Sequence, residues 1–251
     1  MNLDKLLLIF SAFDKDVLKN KVGFKNPLFK KEYFCDNSSE AYILLGPWHA
    51  NSQTFYLLRD KIINSGYSYI QYDFIPDILS PDIKGTKKYF EYISENIKKD
   101  IEEINKKHKI DKFIVMGFSL SCVTASMISG SNKLVKGVIL VAPGNTLAEP
   151  MWYGLRTASI RKVMEKNKID LPYLKEQWEN LAPEKYAPGL KGKKVKIILS
   201  QSDLIIPYSF GKELAQKVKK YVPNIVVKEN KHLGHYGTII NFCFISKDIS
   251  I

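Results

Sequence analysis

The stretch from Lys112 to Ser129, KFIVMGFSLSCVTASMIS, constrains the fold of this chain more than any other. Residues 113–116 are a short apolar run of β-forming types, as a buried parallel strand requires, whereas residues 122–129 are small and apolar, as suits a buried helix. Ser119 lies between them. The stretch therefore predicts a strand, a sharp turn and a helix, with the side chain of Ser119 exposed above the edge of a sheet.

A serine at such a turn is well placed for nucleophilic chemistry. A tight strand-to-helix turn strains the backbone of its apical residue and needs small residues two positions to either side, here Gly117 and Ser121. The first N–H groups of the helix and the positive end of its dipole point to the same place, which suits an oxyanion. Ser119 is thus predicted to be the nucleophile of an acyl transfer; the alternative is a serine that only starts a buried helix.

Residues 117–121, Gly-Phe-Ser-Leu-Ser, resemble the nucleophile elbow of the α/β-hydrolase superfamily. The usual pattern is G-x-S-x-G, and Ser121 stands where the last glycine would be. The resemblance covers about residues 38–245 and implies an α/β fold, in which a mostly parallel central sheet is flanked by helices on both faces. We expect one domain over residues 1–251, with a small helical cap inserted at about residues 146–180.

A polar loop follows the strand predicted at residues 41–45. In hydrolases of this superfamily the corresponding loop often begins His-Gly, and the next residue gives a backbone N–H to the oxyanion. Gly46-Pro47 replaces that pair here, and proline has no N–H. The resemblance therefore implies Trp48 as one oxyanion donor, partnered by Leu120 of the elbow. The alternative for Trp48 is a core aromatic residue under a loop.

An acid and a histidine complete the pattern. Asp203 comes just past the apolar run 195–200, and His235 lies in a glycine-flanked loop after the strand predicted at residues 224–228. The order Ser119, Asp203, His235 is that of the α/β-hydrolase triad. Serine is too weakly acidic to attack alone, so an imidazole takes and returns its proton while a carboxylate orients the imidazole.

Two rival residues lie close to these positions. His232 is a rival base, but it lacks a glycine on either side. Asp73 ends the strand predicted at residues 67–73 and is expected mainly to order a loop. Neither displaces the predicted triad.

The segment between the strands predicted at residues 135–143 and 195–200 is too long for a plain crossover. It carries aromatic residues, and the resemblance implies that it forms the cap over the active site. The predicted substrate-pocket residues are Met151, Trp152 and Tyr153 under the cap and Ile205 and Ile206 beside the acid. Packing within the cap is the alternative for the aromatic residues.

Composition limits the classes of partner. The chain of 251 residues has a net charge of +12, but it has only three arginines, Arg59, Arg156 and Arg161, and its lysines are spread along the sequence. We therefore expect a solvated surface and no nucleic-acid partner, with weak attraction to anionic surfaces as the alternative. Three widely separated cysteines predict neither a disulfide framework nor a zinc site.

The N-terminal residues bear on location. Leu6–Phe10 is apolar, but Asp4 lies where a signal peptide is cationic, and no convincing cleavage site follows. We expect residues 1–14 to form an amphipathic helix on the domain, a cytoplasmic protein, and no stable insertion into a membrane.

These features predict a serine hydrolase. Its substrate is expected to be a small-molecule carboxylic ester of short to medium acyl chain, cleaved through an acyl-enzyme without a metal or organic cofactor. The alternatives are a thioesterase or acyltransferase with the same triad, a C–C bond hydrolase, and a non-catalytic binding protein with the same fold. The sequence leaves the oligomeric state open.

Overall fold

A computed structural model describes residues 28–48, 55–74 and 78–245 of the chain. Its strands are β1 (Leu28–Tyr33), β2 (Glu40–Leu45), β3 (Ser68–Phe74), β4 (Lys112–Phe118), β5 (Val135–Val141), β6 (Lys194–Ser200) and β7 (Val226–Asn230). They form one sheet in the order β1-β3-β2-β4-β5-β6-β7. β1 pairs antiparallel with β3, and the other neighbouring strands pair in parallel. The mostly parallel central sheet predicted from the sequence is confirmed.

Helices connect the strands. They are α1 (Tyr56–Asn64), α2 (Ile83–His108), α3 (Cys122–Ser131), α4 (Ala148–Tyr153), α5 (Ala158–Lys166), α6 (Leu171–Gln177), α7 (Tyr208–Lys219) and α8 (Gly234–Ile240). Short 3₁₀ segments cover Ser119–Ser121, Glu179–Leu181 and Pro183–Leu190, and a π-helical turn covers Asn241–Ile245. The long helix α2 begins after Asp82, whose carboxylate accepts a hydrogen bond from the N–H of Gly85 at 2.8 Å.

The sheet separates two hydrophobic cores, because successive residues of a strand point to opposite faces. In β4, Phe113 and Val115 face the larger core, which α2, α3 and α7 cover. Ile114 and Met116 face the smaller core, which α1 and α8 cover together with the turn at 241–245. Strands buried on both faces explain the near-continuous apolar runs of β2, β4 and β5. Helices on both faces are as the sequence predicted.

The cap predicted at about residues 146–180 corresponds to α4, α5 and α6. Within this segment, the indole Nε1 of Trp178 donates to the carbonyl oxygen of Ile83 at 3.0 Å, which fixes the end of α6 against the start of α2. That the segment works as a cap, and that the chain is one domain, remain predictions.

The other expectations are met in part. β1 lies at one edge of the sheet, whereas the amphipathic helix predicted over residues 1–14 lies outside the described residues. Within the three described ranges, every helix is too short or too polar to cross a lipid bilayer.

Candidate active site

Ser119 lies at the turn between β4 and α3 in a strained conformation. Its φ angle is 57°, in the left-handed region that non-glycine residues rarely adopt. The turn is tight, because a Cβ atom on Gly117 would lie 2.7 Å from the Cβ of Ala125 and 2.9 Å from the Cα of Cys122. Only glycine fits there without moving α3. The predicted strand, turn and helix are therefore present.

Ser121 takes the position that is usually glycine, and its hydroxyl is hydrogen-bonded within the turn. The Oγ atom accepts from the N–H of Phe118 at 2.8 Å and donates to the carbonyl oxygen of Leu45 at 2.7 Å. A buried hydroxyl whose bonds are satisfied is not costly. The hydroxyl of Ser121 is thus accommodated by hydrogen bonds to β4, through Phe118, and to β2, through Leu45.

The three predicted triad residues lie together at this turn. His235 Nε2 is 2.8 Å from Ser119 Oγ, and His235 Nδ1 is 2.8 Å from Asp203 Oδ2. The second carboxylate oxygen, Oδ1, accepts from the N–H groups of Ile205 and Ile206, each at 2.9 Å. These bonds fix the carboxylate, which in turn holds the imidazole with Nδ1 protonated and Nε2 facing the serine.

The sheet explains why residues so far apart in sequence meet. Ser119 follows β4, Asp203 follows β6 and His235 follows β7, and parallel strands end at the same edge of a sheet. The side chains of His235 and Asp203 are only 2% and 3% exposed. Water therefore does not compete for the hydrogen bond between them.

The rival residues are placed differently. His232 is exposed to solvent. Asp73 Oδ1 accepts a hydrogen bond from Gln71 Nε2 at 2.7 Å and lies beside Gly46, where the loop to Trp48 begins. This position agrees with the loop-ordering role predicted for Asp73.

Ser119 opens into a cavity of about 370 Å³. Trp48 and Leu120, the predicted oxyanion donors, both line it. Trp48 also packs partly buried against the larger core, as expected of a core aromatic residue, and its role as an oxyanion donor remains a prediction. The rest of the wall is mostly apolar, and the size is that of a small-molecule site.

Three of the five predicted pocket residues, Met151, Ile205 and Ile206, line the cavity. Trp152 instead packs against the larger core, and Tyr153 is 55% exposed with its ring 6.3 Å from that of Phe210. Successive residues of a helix point about 100° apart, so the short helix α4 turns only one of the three toward the cavity. The structure corrects the prediction for Trp152 and Tyr153.

Arg156 and Tyr236 also line the cavity, although the sequence did not predict them as site residues. The guanidinium carbon of Arg156 is 5.3 Å from the ring centroid of Trp48 and 5.9 Å from that of Tyr236. Arg156 Nη1 also donates to the hydroxyl of Tyr236. The available signals were that Tyr236 directly follows His235 and that Arg156 is a rare arginine in a lysine-rich chain.

Cys122, which begins α3 directly after the turn of Ser119, is a buried thiol. Burial raises the pKa of the Cys122 thiol far above its usual range, so it stays protonated and does not compete with Ser119. The three cysteines are free thiols. The part of the chain that the structure describes contains no group of three or more His, Cys, Asp or Glu side chains that could hold a metal ion.

Solved structures share this architecture. An esterase of Pyrococcus furiosus has a TM-score of 0.61 at 15% identity, over 90% of this chain and 93% of that chain. A monoacylglycerol lipase of Paleococcus ferrophilus has a TM-score of 0.56 at 16% identity, over 83% of this chain and 90% of that chain. A sugar hydrolase of Lactococcus lactis has a TM-score of 0.61 at 13% identity, over 92% of this chain and 89% of that chain.

No protein-family model matches the sequence, and no curated protein sequence is significantly similar to it. Similarity at 13–16% identity is evidence of fold. The chain has the α/β-hydrolase fold, as the resemblance at the elbow implied.

Proposed function

We propose that the protein is a serine hydrolase that cleaves carboxylic esters through an acyl-enzyme. One observation carries the proposal: a continuous hydrogen-bonded chain runs from Asp203 through His235 to a strained Ser119 in a cavity wall. A binding protein with this fold has no need of such a chain. The similarity to an esterase and a monoacylglycerol lipase supports the same reaction class.

In the first half-reaction, Ser119 Oγ attacks the ester carbonyl carbon while His235 Nε2 takes the hydroxyl proton. The carbonyl oxygen becomes an oxyanion, and in this proposal the backbone N–H groups of Trp48 and Leu120 stabilise it. The intermediate then expels the alcohol, which receives the proton from His235. The product of this half-reaction is an acyl ester of Ser119.

In the second half-reaction, His235 takes a proton from a water molecule, which attacks the acyl carbon. Collapse of the second tetrahedral intermediate releases the carboxylic acid and returns the proton to Ser119. Every proton is carried by His235, so this sequence requires neither a metal nor an organic cofactor.

The cavity supports a substrate of short to medium acyl chain. Its volume of about 370 Å³ is near the lower end of the range for small-molecule sites, and Met151, Ile205 and Ile206 make part of its wall apolar. A thioesterase or an acyltransferase would use the same triad. Acyl-CoA esters therefore belong in the substrate screen beside p-nitrophenyl esters.

Labelling with a fluorophosphonate probe tests the proposal. Only an activated serine beside oxyanion donors reacts rapidly, so we expect one label on the wild-type chain, at Ser119. Ser119→Ala should remove both the label and ester turnover. Labelling that persists in Ser119→Ala would contradict the assignment.

A further inference from the structure

The cavity wall contains one permanently charged side chain among the described residues that line it, that of Arg156. The surrounding wall is mostly apolar, with Leu147, Pro150 and Met151 close to it in sequence. Arg156 is half-buried, so placing its guanidinium in such a wall costs part of its solvation free energy unless something pairs with it. We therefore looked for the group that pairs with Arg156.

The side chain of Arg156 is held in a fixed position. Its guanidinium lies 5.3 Å from the ring centroid of Trp48 and 5.9 Å from that of Tyr236, and it donates to the Tyr236 hydroxyl. Trp48 is itself a proposed oxyanion donor, and Tyr236 directly follows the proposed base, His235. A planar guanidinium held by aromatic rings keeps most of its N–H donors available.

The described residues supply no carboxylate for Arg156. It takes part in none of the ion pairs formed between residues in the ranges 28–48, 55–74 and 78–245. Arg161, by contrast, pairs with Glu165 and donates to the carbonyl oxygen of Trp152. Arg156 is thus a pre-oriented cation in the wall of the cavity that Ser119 also lines.

We propose that Arg156 binds an anionic oxygen group of the substrate, a carboxylate or a phosphate. This inference rests on the proposed ester hydrolysis and narrows its substrate class to amphiphilic esters with an apolar body and an anionic end. The apolar wall takes the body, and the guanidinium of Arg156 takes the anion through charge-assisted hydrogen bonds. The net charge of +12 also favours the approach of anionic substrates.

The test compares matched esters. p-Nitrophenyl hydrogen adipate carries an acyl-side carboxylate, and p-nitrophenyl methyl adipate is its neutral partner. 4-Carboxyphenyl butyrate and its methyl ester make the same comparison on the alcohol side. The measured quantity is the ratio of kcat/KM for the anionic ester to that for its neutral partner, so that a general loss of activity cancels.

We expect the anionic ester of at least one pair to be preferred, and Arg156→Gln to lower that ratio about tenfold to a hundredfold, as for loss of a charge-assisted hydrogen bond. Arg156→Lys keeps the charge without the planar fork and should recover part of the ratio. Lys162→Gln makes the same change in net charge at an exposed position outside the cavity and should leave the ratio unchanged. A ratio that Arg156→Gln does not lower overturns the proposal.

A binding measurement tests the same idea without turnover. In Ser119→Ala, calorimetry with monomethyl adipate, butyl phosphate and dimethyl adipate should show tighter binding of one or both anions than of the neutral diester. The stronger anion identifies the group. Adding Arg156→Gln should remove the preference, and equal affinities for all three ligands would refute it.

The two proposals fail in different ways. If neutral esters are hydrolysed through Ser119 but the ratio does not depend on Arg156, only the anion site is wrong. If neither labelling nor hydrolysis is seen, the proposed reaction is wrong, and the binding measurement still decides the role of Arg156.

Discussion

The hydroxyl of Ser121 donates a hydrogen bond to the main-chain carbonyl oxygen of Leu45, 2.7 Å away. The ladder between β2 and β4 ends at the pair of Leu45 with Gly117, so this bond continues the contact beyond the last paired residues. Leu45 is followed by the loop that carries Trp48. Ser121 thus joins the turn of the proposed nucleophile to the strand that leads to a proposed oxyanion donor.

Removal of the Ser121 hydroxyl should destabilise the fold. Ser121→Ala leaves a buried N–H of Phe118 and the carbonyl oxygen of Leu45 without this partner, at a cost of about 1–3 kcal/mol in the free energy of unfolding. Ser121→Gly restores the usual motif but loses the same bonds, so it should be no more stable than Ser121→Ala. Urea unfolding of both variants measures the effect.

Ser126→Ala is the matched control for that experiment. The hydroxyl of Ser126 is also buried in α3, but it has no hydrogen-bond partner in the described part of the chain. Its removal should change stability little or raise it slightly. Equal losses in Ser121→Ala and Ser126→Ala would show that the bond to Leu45 contributes nothing.

Asp203→Asn should abolish most ester turnover in a folded protein. An asparagine no longer stabilises the imidazolium or the correct tautomer of His235, and the expected loss in kcat is about ten-thousandfold. Steady-state kinetics with a p-nitrophenyl ester measures it, with circular dichroism to confirm folding. Asp73→Asn is the control for loss of a carboxylate, because Asp73 bonds to Gln71 near the loop that leads to Trp48. Activity within a few fold of wild type in Asp203→Asn would mean that another carboxylate serves His235.

Acyl-chain preference should follow the size of the cavity. Each buried methylene contributes about 0.8 kcal/mol to binding, so kcat/KM should rise steeply with chain length until the cavity is full. We expect the optimum at about four to eight carbons, given a cavity of about 370 Å³. The measurement uses p-nitrophenyl esters of about two to sixteen carbons. A continued rise beyond about twelve carbons, with activation by emulsified substrate, would indicate a lipase with a longer acyl groove.

Thiol reactivity should distinguish the three cysteines. Burial raises the pKa of Cys243 to about 12 and that of Cys122 further, whereas Cys35 is half-exposed. Because only the thiolate reacts, Ellman's reagent at pH 8 should titrate Cys35 rapidly and the other two only after denaturation. Ionisation of the buried thiols favours the unfolded chain, so their contribution to stability is present below about pH 9 and is lost at higher pH. Rapid titration of all three in the native protein would contradict this burial.

The sequence predicts the site best where the pattern is local. The apolar runs and the elbow are each read from a few consecutive residues, as are the strand ends that precede the acid and the histidine, and the structure brings Ser119, Asp203 and His235 together. The bond from Ser121 to Leu45 joins residues 76 positions apart, so no local pattern reports it. The misassignment of Trp152 and Tyr153 has another cause, since the rotation of the short helix α4 is set by packing around Met151.

Residues 234–245 contribute both to the candidate site and to one of the two hydrophobic cores. They contain His235, and they also supply Ile239, Phe242 and Cys243 to the smaller core. As the chain leaves the ribosome, one face of β2, β4 and β5 therefore lacks this cover until the same segment that brings the histidine has been made. Under the proposed mechanism, a nascent chain that still lacks His235 cannot turn over substrate. A covalent probe of Ser119 would consequently label only chains in which residues 234–245 have been made and packed against the sheet.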